Sequence, residues 1–211
     1  MFPIKFIGRR FLIFMVAYFG LIGCLSLDPI QNAGIAVFSK PADMLISAFL
    51  PQGFIVVEQS PKEEIATEQT VRILFGNAQV IQEQKAAAQR DGKVKTTVPL
   101  KEFKVKYKEF ILFPLCFFWA LMLATPLKWK LKLKLSCAGT GILLLFFILK
   151  LLCYTLDQYT MNPIGVYQLS GWAAGFVSKV YENMKIGVSF IVATIVWGGL
   201  AVPKLKSDYW V

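Results

Sequence analysis

The sequence predicts a membrane α-helical protein, with four transmembrane helices and a small extracytoplasmic α+β region between the first and the second. Three observations carry that prediction. Four apolar runs, residues 11–27, 110–127, 135–154 and 186–202, fall within the ~17–25 residues that cross a hydrocarbon core as a helix. The mean hydropathy is +0.56 and 17% of residues are charged, which leaves a soluble domain of this size too little polar surface. The basic residues, finally, gather beside the runs.

That clustering converts charge into orientation. Lys5, Arg9 and Arg10 precede the first run, Lys128, Lys130, Lys132 and Lys134 separate the second from the third, and Lys204 and Lys206 follow the fourth. Asp208 is the sole acid in those three segments. If every run spans, they share one side, and the positive-inside rule makes it cytoplasmic, with both termini inside. Residues 28–109 and 155–185 nearly balance their charges, so nearly all of the net +10 sits on the cytoplasmic side, against anionic lipid headgroups. A nucleic-acid protein would collect it on one soluble face, so no nucleic-acid partner is expected. Lys101, Lys104, Lys106 and Lys108 lie on the other side, which the charge rule tolerates in a long translocated loop.

Taken in order, residues 1–10 form a cytoplasmic N-terminus and 11–27 the first helix. The start resembles an export signal, and Leu21-Ile22-Gly23-Cys24 resembles the lipobox of bacterial lipoproteins. Leu25, Ser26 and Leu27 are not the polar stretch expected after a lipidated cysteine, so an uncleaved signal anchor is expected. Residues 29–50 mix apolar and polar positions as one or two interfacial helices would, with a break at Pro41. Residues 53–59 and 70–75 are rich in β-branched and aromatic types and predict strands, with Gly76-Asn77 as a turn before a third strand at 78–82. A polar helical turn or hairpin tip follows at 84–92. Phe103, Val105 and Tyr107 then alternate with Lys104, Lys106 and Lys108, as in a strand with one apolar and one basic face, and Pro99 should lie at an edge or bulge. After the second helix come a basic cytoplasmic loop (128–134), the third helix, a second periplasmic loop (155–185) with a surface helix over 171–181, the fourth helix and a cytoplasmic tail (203–211). Tyr154, Tyr159, Tyr167, Trp172 and Tyr181 form an aromatic belt on the outer side, with Trp129 on the inner.

Chemistry is constrained by the absence of histidine, which removes the usual general base and the commonest metal ligand. HExxH zinc sites and Ser-His or Cys-His pairs are impossible within the chain. Cys24, Cys116, Cys137 and Cys153 include no CxxC pair, so no metal or cofactor is expected. Cys24 and Cys153 fall near the outer ends of their helices, which leaves open a disulfide, against the alternative that they are small packing residues. Lys150 is a charge deep in a run, where such residues snorkel, pair at an interface or line a relay; Asp157 is the nearest acid along its helix. Gly171 and Gly175, like Ser189 and Ala193, are small-xxx-small pairs that permit close helix approach.

Phe54-Ile55-Val56-Val57-Glu58-Gln59 and Phe110-Ile111-Leu112-Phe113-Pro114-Leu115, continuing to Ala124-Thr125-Pro126, resemble the small integral membrane proteins that accompany exosortases, bacterial transpeptidases that sort exported proteins. The resemblance extends to the architecture of the whole chain. It implies a companion rather than the transpeptidase, which is expected to use Cys, Arg and His, and it implies no cofactor.

The expected function is therefore that of a non-catalytic accessory or scaffold subunit of a bacterial inner-membrane complex in export, sorting or envelope assembly. Its partners would be other membrane or periplasmic subunits and the lipid bilayer. Lys104, Lys106, Lys108, Lys150, Asp157, Gly171 and Gly175 are the candidate interface residues. A transporter or channel subunit would carry broken, polar helices at the midplane, for which Pro114 and Gly198-Gly199 are the candidates. An intramembrane enzyme would need a base such as Asp157.

Overall fold

The computed structural model describes residues 4–59, 70–90, 100–162, 164–183 and 186–209. Three helices within them are long and apolar enough to cross a membrane: α1 (Ile4–Leu25), α5 (Trp129–Met161) and α7 (Ile186–Tyr209). The second apolar run takes another form. A π-turn, Lys108–Leu112, leads into α4 (Phe113–Ala124), which has only 12 residues. Pro114 explains the wide turn, because it has no N–H for the carbonyl four residues back, and the chain adapts by letting the Phe113 N–H reach the Lys108 carbonyl. The helix stops at Thr125, which is extended (φ −69, ψ 133) because Pro126 disfavours helical geometry in the residue before it.

The chain divides into two compact units. The first comprises Met1–Gln31, Tyr107–Phe147 and Met184–Val211. Here α4 packs against both α1 and α7 and buries Cys116, Phe118, Ala120 and Met122. Phe117 meets the rings of Phe14, Tyr18 and Phe190 edge-on, with centroids at 5.5, 6.0 and 5.2 Å. Small residues let the helices close: Ser189 and Ala193 on α7 are fully buried, and Gly139 on α5 lies under the Phe118 ring.

The C-terminal end of α4 collects donors. Lys132 Nζ donates to the Leu123 carbonyl at 2.8 Å and Arg10 Nη1 to that of Ala124 at 3.4 Å. Thr125 Oγ1 donates to Leu121 O at 2.7 Å and accepts from Trp197 Nε1 at 2.8 Å. Carbonyls orphaned at a helix end are thus met by two cations at its negative pole. Because α5 begins at Trp129, Lys130, Lys132 and Lys134 lie on its first turns and not in the loop expected from the sequence.

The second unit comprises Asn32–Lys106 and Ile148–Asn183. Its sheet is antiparallel, in the order β1 (Gly53–Gln59), β2 (Thr70–Asn77), β3 (Lys101–Lys106). The register places Val57 opposite Ile73 and Ile73 opposite Phe103, which lines one face with Ile55, Val57, Val71, Ile73, Phe75, Phe103 and Val105. The end of α5 covers that face. Tyr159, fully buried, meets the Phe75 ring at 5.1 Å and donates its hydroxyl to the Gly76 carbonyl at 2.9 Å.

Two local expectations fail here. Residues 78–82 are not a strand but the start of α3 (Ala78–Arg90). Asn77 Oδ1 accepts from the N–H groups of Gln79 and Val80 at 3.0 and 3.4 Å, an N-cap that starts a helix where a turn was expected. Pro41 does not break α2, which runs unbroken from Asp28 to Phe49. Pro41 and Val37 both lie on its exposed side, so the Val37 carbonyl left without its donor faces outward, where a proline in a helix costs least. Pro99 lies outside the described residues. The helix expected over 171–181 is α6 (Gly171–Asn183).

Candidate functional site

The sheet's second face carries the charge. Alternation along β3 sends Phe103 and Val105 inward and leaves Glu102, Lys104 and Lys106 exposed, with Lys101 exposed at the strand's start. Glu58, Arg72 and Lys104 are in register across the three strands. Arg72 Nε stands 2.8 Å from Glu102 and 3.7 Å from Glu58, and Lys104 Nζ is 4.0 Å from Glu102. These half-exposed contacts are ion pairs without aligned hydrogen bonds at Arg72 Nε, worth about 0–1 kcal/mol each. Among the described residues of the three strands, Lys101, Arg72, Lys104 and Lys106 outnumber Glu58 and Glu102. Lys85 from α3 adds a cation 5.7 Å over the Phe54 ring. Lys108 is half-buried at the start of the π-turn.

Lys150 and Asp157 are elsewhere and of another kind. Both face the protein interior, at 2% and 3% exposure. Lys150 Nζ lies 5.8 Å from the centroid of the Tyr154 ring, one helical turn on, and Tyr154 meets Tyr181 of α6 edge-on at 4.6 Å. Asp157 Oδ2 is buried with no hydrogen-bond partner. Both fall on the inward stripe of α5, two turns apart, with the buried Leu151 and Thr155 around them.

No protein-family model, curated protein or solved structure matches the chain.

The remaining candidates divide by exposure. Gly171 and Gly175 are exposed on α6, and a Cβ at either would meet nothing within 4 Å, so among the described residues this small-xxx-small pair makes no close helix approach. Gly171 instead has φ +59 at the first position of α6, a left-handed conformation suited to glycine. Ser189 and Ala193, of the same spacing, are the pair that is packed. All four cysteines are free in this structure, Cys24 exposed on α1 and Cys153 half-buried on α5. Among the described residues, no three of Cys, Asp and Glu gather as metal ligands.

Sequence reasoning missed the Tyr159 cluster and the Arg72 network. The aromatic pattern alone places Tyr159 in an outer belt; in the structure it is buried in the core of the second unit, with Phe75, Tyr167 (5.5 Å) and Gly53 around it. Tyr167 is held in turn by its hydroxyl, which accepts from the Gln52 N–H at 2.6 Å. The alternation of Val71, Ile73 and Phe75 around Arg72 was a legible sign that Arg72 occupies the outer face; its acidic neighbours depend on register.

Proposed function

We propose that the protein is a non-catalytic accessory or scaffold subunit of a multi-protein complex of a bacterial inner membrane, acting in export, sorting or envelope assembly. The exposed basic edge strand carries this reading. β3 presents Lys101, Lys104 and Lys106 at the margin of a small sheet, a surface suited to an acidic, extended segment of another subunit. A chain without histidine that invests its folded part in such a surface is better equipped to hold a partner than to transform a substrate.

In this reading α1, α5 and α7 cross the bilayer, and the π-turn with α4 makes the fourth crossing. The convergence of Arg10 and Lys132 on the last carbonyls of α4 supports placing those helix ends on one side, and their charge supports the cytoplasm. The resemblance to exosortase companions makes a sorting assembly the first complex in which to look.

The test is purification of the tagged chain from its native membrane in mild detergent, compared with a Lys101→Glu, Lys104→Glu, Lys106→Glu variant. The expected result is a reproducible set of membrane or periplasmic subunits with the parent chain, and loss of at least one from a variant that still folds and integrates. A chain that purifies alone, or only with copies of itself, overturns the proposal.

A further inference from the structure

α2 is a helix with two apolar faces. One closes the second unit's core through Ile35, Phe38, Ala42 and Ile46, all 5% exposed or less. On the opposite side Val37 and Met44 are 70% and 77% exposed. Ile30, Ala33, Pro41 and Ala48 are exposed with them, and at 3.6 residues per turn the six fall in a single stripe along the rod. Because Pro41 does not interrupt the helix, that stripe is continuous.

α6 repeats the feature. Trp172 is 85% and Phe176 62% exposed; with Lys179 and Asn183, also exposed, they occupy one stripe of a helix in which no residue is fully buried.

Chain continuity identifies what these faces meet. Only Ser26 and Leu27 separate α2 from α1, whose bilayer-length segment ends at Leu25, and only residues 184–185 separate α6 from α7, whose segment begins at Gly187. The two helices that adjoin crossing segments on this side of the chain therefore begin or end within a turn of the membrane boundary, and both show apolar outer faces. α3 supplies the internal control. It adjoins no such segment, and its exposed residues include Gln79, Gln82, Glu83, Lys85 and Arg90. Among the described residues, large apolar faces on the membrane-adjoining helices are expected of surfaces covered by acyl chains, with Lys40 beside the α2 stripe and Lys179 one turn beyond Phe176 reaching to headgroups.

We infer that α2 and α6 lie in the plane of the bilayer surface, with the Val37–Met44 stripe and the Trp172–Phe176 pair buried among lipid. The inference rests on the chain being a membrane protein and deepens that reading: it gives α2 and α6 each a lipid-facing side.

A photo-crosslinking benzophenone amino acid placed at Val37, Met44 and Phe176 in intact membranes tests it, with Ile191, 59% exposed on α7, as the lipid-facing reference and Glu83 on α3 as the water-facing one. These exposed positions tolerate substitution. Lipid-mass adducts at 37, 44 and 176 comparable to those at 191, and none at 83, are the expected result. Adducts to a second copy or another protein at 37 and 44 overturn the inference, as does a pattern at 37, 44 and 176 like that at 83. Alkaline carbonate extraction separates the two levels: a chain released by carbonate refutes the membrane reading itself, whereas a chain retained without lipid adducts at these positions refutes only the in-plane placement.

Discussion

Replacing Gly139 with alanine should destabilise the helix packing, although alanine is the better helix former. A Cβ there would overlap the tip of the Phe118 ring and stand 2.8 and 2.9 Å from its flanking carbons, where carbon atoms settle at about 3.5–4.0 Å. Phe118 is fully buried, so the ring has no open space to swing into, and overpacking of this kind costs about 1–3 kcal/mol. Gly141, two residues along the same helix, has nothing within 4 Å of its own added Cβ, and alanine there should gain up to about 0.8–1.0 kcal/mol from propensity alone. The propensity gain is common to both variants, so they should be separated by the overpacking cost alone, about 1–3 kcal/mol, with Gly139→Ala the less stable. SDS titration of the purified chain in mixed micelles, followed by tryptophan fluorescence, reads the difference as a shift of the unfolding midpoint. Phe118→Leu, destabilising by itself, should lessen the penalty of Gly139→Ala in the double variant, as expected for residues in contact. Equal midpoints for Gly139→Ala and Gly141→Ala, or additive effects of Gly139→Ala and Phe118→Leu, would refute the close approach of α4 and α5.

Tyr159→Phe removes the hydroxyl donated to Gly76 and should cost about 1–3 kcal/mol, seen as faster hydrogen exchange at β1 and β2 amides. Gly53→Ala, whose Cβ would lie 2.6 Å from that hydroxyl, should be less harmful in the Tyr159→Phe background than in the parent; an unchanged penalty would refute the contact. Asp43 on α2 gives a pH dependence. Burial raises its carboxyl above the ordinary carboxylate value, partly opposed by the Val57 backbone N–H. A raised folded-state value means the native state holds the proton more tightly, so the penalty is absent below the unfolded-state value, grows as pH rises between the two, and is constant above the folded one. Asp43→Asn should accordingly stabilise the second unit at pH 7 and lose that advantage on acidification, measured by denaturation at both pH values; an equal effect at both would refute it.

The long apolar helices were legible because a bilayer demands a run of uniform polarity, a property that a sequence displays without reference to any partner. Strands β1 and β2 were legible for a related reason: alternation around Arg72 and Ile73 is local. Elements whose ends are decided by a single side chain were misread. Asn77 suits a hairpin turn and a helix cap equally, and only its bonds to Gln79 and Val80 select the helix. Pro41 reads as a break until its exposed position is known, and Pro114 until the π-turn is seen to absorb it. Among the candidate site residues, Lys104 and Lys106 were placed on an exposed face by period-two alternation. The burial of Lys150 and Asp157 was not legible, because charge in a sequence says nothing of which stripe of a helix turns inward.

By itself, the sequence determined that this is a chain with bilayer-length apolar runs, basic residues clustered beside them, a basic strand and no histidine chemistry, since composition and period are properties of the polymer. The tertiary structure alone decided which glycine lies under a ring, that Tyr159 belongs to a sheet core, that Arg10 and Lys132 cap a helix, and that α2 has a second apolar face left uncovered. Each of these depends on contacts between residues far apart in the chain, whose distances are set by packing and register and are written in no local pattern.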